Sequence, residues 1–255
     1  MGELDGRALL VTGGSRGIGR AIAVEAARRG ADVALLFRNR ATEAAATVAA
    51  VQAEGRRAIA LAADITDAAA VAAAVQQAGN ALGRIDLLAL TAGAQGEWST
   101  IADLPREAWD HYIAVDLSGT FYCLAAALPW LRRAGGGAVL AISSIAAQMC
   151  QARNVQGAAA KAGVEAMIRV AAREEARHGI RANALAIGLA DTEMGRAALD
   201  LWGPETAQRI VRGIPLQRLG TAEEVAVMAC FMLGPQASYL TGKVIQLDGG
   251  QIIAG

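Results

Sequence analysis

A doubly wound parallel α/β sheet with helices on both faces is the fold this sequence predicts, and three observations predict it. Apolar runs and helical stretches alternate from end to end. The strand-like runs are continuously apolar, as in strands covered on both sides. A glycine-rich turn, "VTGGSRGIGR", joins the first of those strands to the first helix.

The elements follow in order. Strand 7–11 precedes the glycine turn and helix 17–29, which Gly30 closes. Strand 32–37 and a helix over 41–54, ended by Gly55, form the next unit. Strand 57–62, helix 67–82 and Gly83 form a third. Strand 86–90 leads to a long helical region, 105–133, with Pro105 in its first turn, where a missing N–H costs least. Strand 138–143, helix 155–178 and strand 181–186 come next. Thr221 and Glu224 make a T-x-x-E capping box for helix 222–233, and strand 244–247 closes the sheet. With no linker-like stretch or internal repeat, residues 1–255 read as one domain. The segment 188–215, where Gly, Asp, Trp and Pro interrupt the helical pattern, reads as a substrate lid.

Composition narrows the function classes. The apolar fraction is 54 % with only 4 % aromatics, so the core is aliphatic. Lys+Arg and Asp+Glu are both 24, which gives no electrostatic argument for nucleic acid or an anionic membrane. Strand-like residues begin almost at once, leaving no visible signal peptide, and charged or glycine residues break the Ala-rich runs. A cytoplasmic protein with no membrane span is the expectation. Cys123, Cys150 and Cys230 have no CxxC or metal spacing, so free thiols and no metal site are expected.

The glycine loop carries the clearest chemistry. Gly13, Gly17 and Gly19 allow a tight turn, close approach of a pyrophosphate and close helix-on-strand packing. The helix that follows presents free N–H groups to phosphate oxygens.

The pattern T-G-x-x-x-G-x-G at 12–19 resembles that of the short-chain dehydrogenase/reductase family, a Rossmann-type fold. So do "ADITD" around Asp64, "IRANALAIGLADTEM" (180–194) and the C-terminal stretch 215–250. The resemblance covers nearly the whole chain. It implies a nicotinamide dinucleotide held by Gly13, Ser15, Arg16, Gly17, Ile18, Gly19, Arg38, Asp64, Ile65, Gly93, Lys161, Gly188 and Thr192. Asp64 would hold the adenine amino group and Thr192 the carboxamide. Where NAD-preferring members end the second strand with an acidic residue, this chain has Phe37, then Arg38, Asn39 and Arg40. A guanidinium pairs with a 2′-phosphate that a carboxylate would repel. NADP(H) is therefore favoured over NAD(H), through Arg38 first and Arg16 second.

The family's usual proton-transfer set is a tyrosine, a lysine four residues later, a serine thirteen residues earlier and an asparagine on the long helix. Here Ser144 and Lys161 stand at the serine and lysine positions, but the tyrosine position is Gly157 and the asparagine position is Asp116. Thr91 replaces the asparagine of the family's N-A-G. Three departures in one network suggest altered chemistry, with Ser144, Lys161 and Asp116 as the catalytic candidates. Water entering the gap at Gly157, the Lys161 ammonium or a protonated Asp116 could supply the proton. Gln151, Asn154 and Gln156 are candidates for bonding a substrate oxygen. Tyr112, Tyr122 and Tyr239 read as packing residues.

Two functions stay open. One is an NADPH-dependent reductase of a C=O, C=N or activated C=C bond in a small apolar substrate. The other is an NADP(H)-binding protein with little redox activity: a partner subunit, a regulator, or a cyclase or isomerase. The pocket would be walled by 94–100, 145–156 and 190–212, including Trp98, Met149, Met194 and Trp202, and Gly157 would make it roomier. The resemblance also implies a homotetramer or homodimer.

Overall fold

The computed structural model describes residues 2–253; Met1, Ala254 and Gly255, the extremes of the 1–255 domain, lie outside it. Seven strands form one sheet: β1 (Ala8–Thr12), β2 (Asp32–Phe37), β3 (Ala58–Ala62), β4 (Leu87–Leu90), β5 (Gly137–Ser144), β6 (Ile180–Ile187) and, at its edge, β9 (Val244–Leu247). They lie in the order β3-β2-β1-β4-β5-β6-β9, and every pair is parallel. The strands are within one or two residues of their expected bounds.

Alternate strand residues point to opposite faces, so one strand feeds two cores. Leu10, Leu36 and Leu88 enter one apolar layer, whereas Leu9, Val11 and Leu87 enter the other. Helices α1 (Gly17–Arg28), α2 (Ala41–Ala53) and α10 (Ala222–Leu233) cover the second layer through Ile22, Val51 and Val225. Helix α3 (Ala68–Leu82) covers the first layer through Val71 and Val75.

The region expected as one long helix is continuous but changes winding. It runs as α4 (Arg106–Ile113), a π-helical turn over Ala114–Gly119, and α5 (Thr120–Arg133). Two glycines let neighbours press against this turn. A Cβ on Gly119 would stand 2.8 Å from Ile65 Cγ1, and one on Gly163 would stand 2.8 Å from Leu117 Cδ1. The helix Arg106–Arg133 is long enough to cross a membrane and holds an 18-residue window of mean hydropathy 1.3. In the fold it lies against the sheet, burying Val115, Cys123, Leu124, Ala127 and Leu131.

After β5 come a short helix, α6 (Ala146–Met149), and α7 (Val155–Glu175). The segment 188–215 holds more regular structure than its sequence suggests. Strand β7 (Ala190–Asp191) pairs with β8 (Gly220–Thr221) at its base. Between them stand α8 (Glu193–Trp202) and α9 (Pro204–Gly213), neither with a buried residue. Gly203, at φ +75°, makes the break between them, and Pro204 starts the second. The capping box of α10 forms as expected, Thr221 and Glu224 each bonding the other's backbone N–H.

Candidate active site

The sheet's order reverses at β1, which lies between β2 and β4. A crevice opens at such a point beyond the strand ends. Here it is a cleft of about 500 Å³. Gly13 (φ +67°) and Gly17 (φ +53°) make its floor turn at angles other residues avoid. A Cβ on Gly19 would stand 2.4 Å from the carbonyl oxygen of Gly13, so only glycine brings α1 this close to its strand. The cleft is lined by Gly13, Ser15, Arg16, Gly17, Ile18, Gly19, Arg38, Asp64, Ile65, Gly93 and Thr192. Of the expected cofactor set, Lys161 and Gly188 stand outside that lining. Gly188 instead packs on the C-terminal loop, where its Cβ would lie 2.9 Å from Asp248 Cα.

Asp64 accepts from the Thr66 N–H at 2.9 Å and the Thr66 hydroxyl at 2.8 Å, both at Oδ1. Chiefly through that backbone N–H, its carboxyl is held below the ordinary aspartate range. Thr192 caps α8 by accepting from Gly195 N at 3.2 Å, and its methyl lies against the Gly17 position.

The basic end of the cleft holds Arg16, Arg38 and Arg40. Arg38 is exposed and makes no side-chain hydrogen bond or ion pair among the described residues. Arg16, the second candidate for the phosphate, is ion-paired with Glu193, and Arg40 pairs with Glu193 at 3.5 Å and Glu43 at 3.0 Å. Glu193 opens α8, more than 150 residues from these arginines, and no local pattern marks it. Hydrogen bonding from Arg16 holds its carboxyl below the ordinary glutamate range.

Beyond the cleft the structure brings Asp116 and Lys161 together. Lys161 Nζ lies 2.8 Å from Asp116 Oδ1, with the side chains 13 % and 1 % exposed. The ammonium also donates to the Ile142 carbonyl oxygen at 3.3 Å. Asp116 Oδ2 accepts from the Ala94 N–H at 2.7 Å. Both carboxylate oxygens of Asp116 are thus engaged, one with the ammonium and one with the backbone N–H. The π-helical turn sets the carboxylate over Gly93, whose Cβ would lie 3.1 Å from Asp116 Oδ1. Thr120 secures the turn by donating to the Asp116 carbonyl oxygen at 2.7 Å.

Ser144 ends β5 and accepts from Ala146 N at 3.2 Å. Gly157 is buried on α7, one turn before Lys161. The open gap expected beside it is absent, because the Asn154 carboxamide lies there. A Cβ at 157 would stand 2.3 Å from Asn154 Oδ1, 2.9 Å from Cγ and 3.0 Å from Nδ2. Thr91 belongs to a different network from the one expected. Its hydroxyl donates to the Thr12 carbonyl oxygen, and Thr12 Oγ1 accepts from Thr91 N at 3.0 Å and Ala92 N at 3.1 Å. These bonds join β4 to β1.

The Tyr112 ring packs on Gly96, and burial, then the Asp116 charge, pushes its hydroxyl pKa up. Trp98 and Trp202 meet edge to face, ring centroids 4.6 Å apart at 77°, joining the 94–100 loop to the end of α8.

The family model described as enoyl-(acyl carrier protein) reductase matches residues 13–251. An L-rhamnose 1-dehydrogenase (NAD(P)(+)) of a Sphingomonas species is 34 % identical, covering 98 % of each chain. A 3-oxoacyl-(acyl-carrier-protein) reductase of Staphylococcus epidermidis is 31 % identical over 96 % of this chain and 98 % of its own. Among solved structures, a short-chain dehydrogenase from Burkholderia cenocepacia in complex with NADP superposes with a TM-score of 0.91 at 34 % identity, covering 98 % of this chain and 99 % of that one. A glycine cradle at the switch point, a match over nearly the whole chain and relatives that use nicotinamide cofactors agree: this chain belongs to the short-chain dehydrogenase/reductase family of oxidoreductases.

Proposed function

We propose that this chain is an NADP(H)-dependent reductase of a small apolar substrate that works without the family's usual phenolic acid. The cleft fits the dinucleotide on its own geometry. Its cradle admits no Cβ at Gly19, N–H groups of α1 face it, and the Arg38 guanidinium at its rim has no partner among the described residues. Bound there, the cofactor would supply hydride to a C=O, C=N or activated C=C bond.

The chain's own residues do the rest. Arg38, with Arg16 and Arg40 once Glu193 yields them, binds the 2′-phosphate. Asp64 accepts from the adenine amino group. Ser144 offers a hydroxyl to the substrate. Lys161 holds positive charge beside the reacting atoms, and Asp116 fixes the ammonium in place. The single observation that carries this reading is the Lys161–Asp116 pair, set at the end of a dinucleotide cleft beside a glycine with no acid of its own. The segment 188–215 serves as the lid, with the Trp98–Trp202 contact holding it over the substrate.

The test is titration with NADPH and NADH, followed by assay of NADPH consumption with an enone, a cyclic imine and a ketone. The proposal expects tighter NADPH binding and consumption with at least one compound. Tight binding with no consumption by any of them would favour a cofactor-binding protein with little redox activity. Association of several copies is also proposed, because Phe121, Val170, Val227, Phe231 and Tyr239 are exposed apolar side chains on or near α5, α7 and α10.

A further inference from the structure

We propose that Glu193 is a latch: its ion pairs with Arg16 and Arg40 hold the lid 188–215 against the cofactor cleft, and a 2′-phosphate that takes those arginines releases it. The inference rests on the NADP(H) reading for the identity of the displacing group, but not for the latch itself.

Strand β2 ends in Phe37, so it brings no carboxylate of its own to the basic rim. A carboxylate reaches the rim from the other side of the cleft instead. Glu193 is the first residue of α8 and follows Thr192, whose methyl faces the Gly17 turn. From there it pairs with Arg16 in the glycine loop and, at 3.5 Å, with Arg40 beyond β2. Apolar burial does not fasten the lid helices, because neither α8 nor α9 has a buried residue. The β7–β8 pairing anchors the base of the segment. Trp202 holds the far end of α8 against Trp98, and Glu193 holds its near end against the arginines.

Charge decides which partner the arginines keep. The Glu193 side chain is 64 % exposed, those of Arg16 and Arg40 are 44 % and 45 %, and ion pairs this exposed are weak. A phosphate monoester carries about two negative charges and accepts from a guanidinium through two oxygens at once. Arg16, Arg38 and Arg40 already face Glu43 and Glu193, so an added phosphate puts negative charge in excess unless one carboxylate withdraws. Glu43 belongs to α2, which Val51 packs on the sheet. Glu193 belongs to the lid, and it is the one that yields. A dinucleotide without the 2′-phosphate brings no such charge to the rim and leaves the latch closed.

The test follows hydrogen–deuterium exchange over residues 193–213 by mass spectrometry in the full chain, with the α10 amides as internal reference. The probes are adenosine 2′,5′-bisphosphate and 5′-AMP, each at a saturating concentration set by calorimetry. Glu193→Gln is compared with the parent and with Glu205→Gln, which removes the acid in the first turn of α9 instead. Both positions are exposed, so neither substitution disturbs the core. Expected is lid exchange about threefold faster in the parent with the bisphosphate than with 5′-AMP. Glu193→Gln should exchange at the faster rate without any nucleotide and gain nothing from the bisphosphate. Glu205→Gln should behave as the parent does.

Lid exchange in Glu193→Gln no faster than in the parent overturns the proposal, as does equal loosening by Glu205→Gln. A bisphosphate that binds more tightly than 5′-AMP yet slows the lid or leaves it unchanged also overturns it, while the NADP(H) reading stands. The reverse pair of results, equal affinity for the two nucleotides with a faster lid in Glu193→Gln, sinks that reading and keeps the latch.

Discussion

Asp116 is buried, and its carboxylate answers the ammonium of Lys161 at 2.8 Å. Removing one member of such a pair leaves the other charged and alone in a dry site, which costs far more than the pair contributes as a whole. Asp116→Ala is expected to lower stability by about 3 kcal/mol, read by denaturant unfolding. Asp116→Asn keeps an acceptor for the Ala94 N–H and should cost less. Glu193 makes the opposite prediction: on the proposed function it competes with a 2′-phosphate for Arg16 and Arg40, with which it is ion-paired. Glu193→Gln should tighten NADPH several-fold with little effect on NADH, measured by fluorescence titration; equal effects on both would mean that those arginines do not meet the 2′-phosphate. At this scale sequence reading succeeds where a motif fixes the backbone, as in the tight turn at Gly13 and Gly17. It fails where a distant side chain intrudes. Neither Glu193 at the arginines nor Asn154 on Gly157 follows from spacing, because each contact is made by the free end of a side chain whose direction is set by tertiary packing.

The elements carry their own tests. The capping box of α10 gives Thr221 a definite task, and Thr221→Ala should cost about 1 kcal/mol. Hydrogen bonds from Arg218 and from the Thr221 N–H draw the Glu224 carboxyl down to about 2. A lowered pKa stabilises the fold above the unfolded-state value, and that stabilisation fades as the pH falls through the folded-state value. The advantage of Glu224 over glutamine is therefore expected to be full at neutral pH and to disappear toward about pH 2, read as the difference in melting temperature between parent and Glu224→Gln. The cysteines report on packing of the helices. Burial pushes the Cys123 and Cys230 thiols up to about 12, while Cys150 is exposed. A thiol reagent at mildly alkaline pH should titrate one cysteine in the folded protein and three in denaturant. Helix positions were legible because caps and glycines mark them. The π-helical turn was not, since it arises where Ile65 and Leu117 crowd Gly119 and Gly163, contacts that no local pattern encodes.

For the whole molecule, the parallel sheet and its order follow from continuous apolar strands between helices, and the cleft follows from where that order reverses. This was legible because burial on both faces leaves strands few polar residues. The two helices of 188–215 were harder to read. They bury no residue, so no core-facing pattern constrains their sequence. Exposed Phe121, Val170 and Tyr239 predict that light scattering will find more than one copy of the chain per particle, and that polar substitution of Phe121 together with Val170 will reduce that number. On the proposed function, an intact dinucleotide cleft serves a site whose charge is held by Lys161 and whose substrate is met without a phenol. Loss of the reduced-nicotinamide absorbance, followed with 2-cyclohexen-1-one for the parent and for Gly157→Tyr, tests it most directly. Turnover by the parent and a large fall when the ring displaces Asn154 are expected; higher enone turnover by Gly157→Tyr, with the parent inert, would overturn this reading.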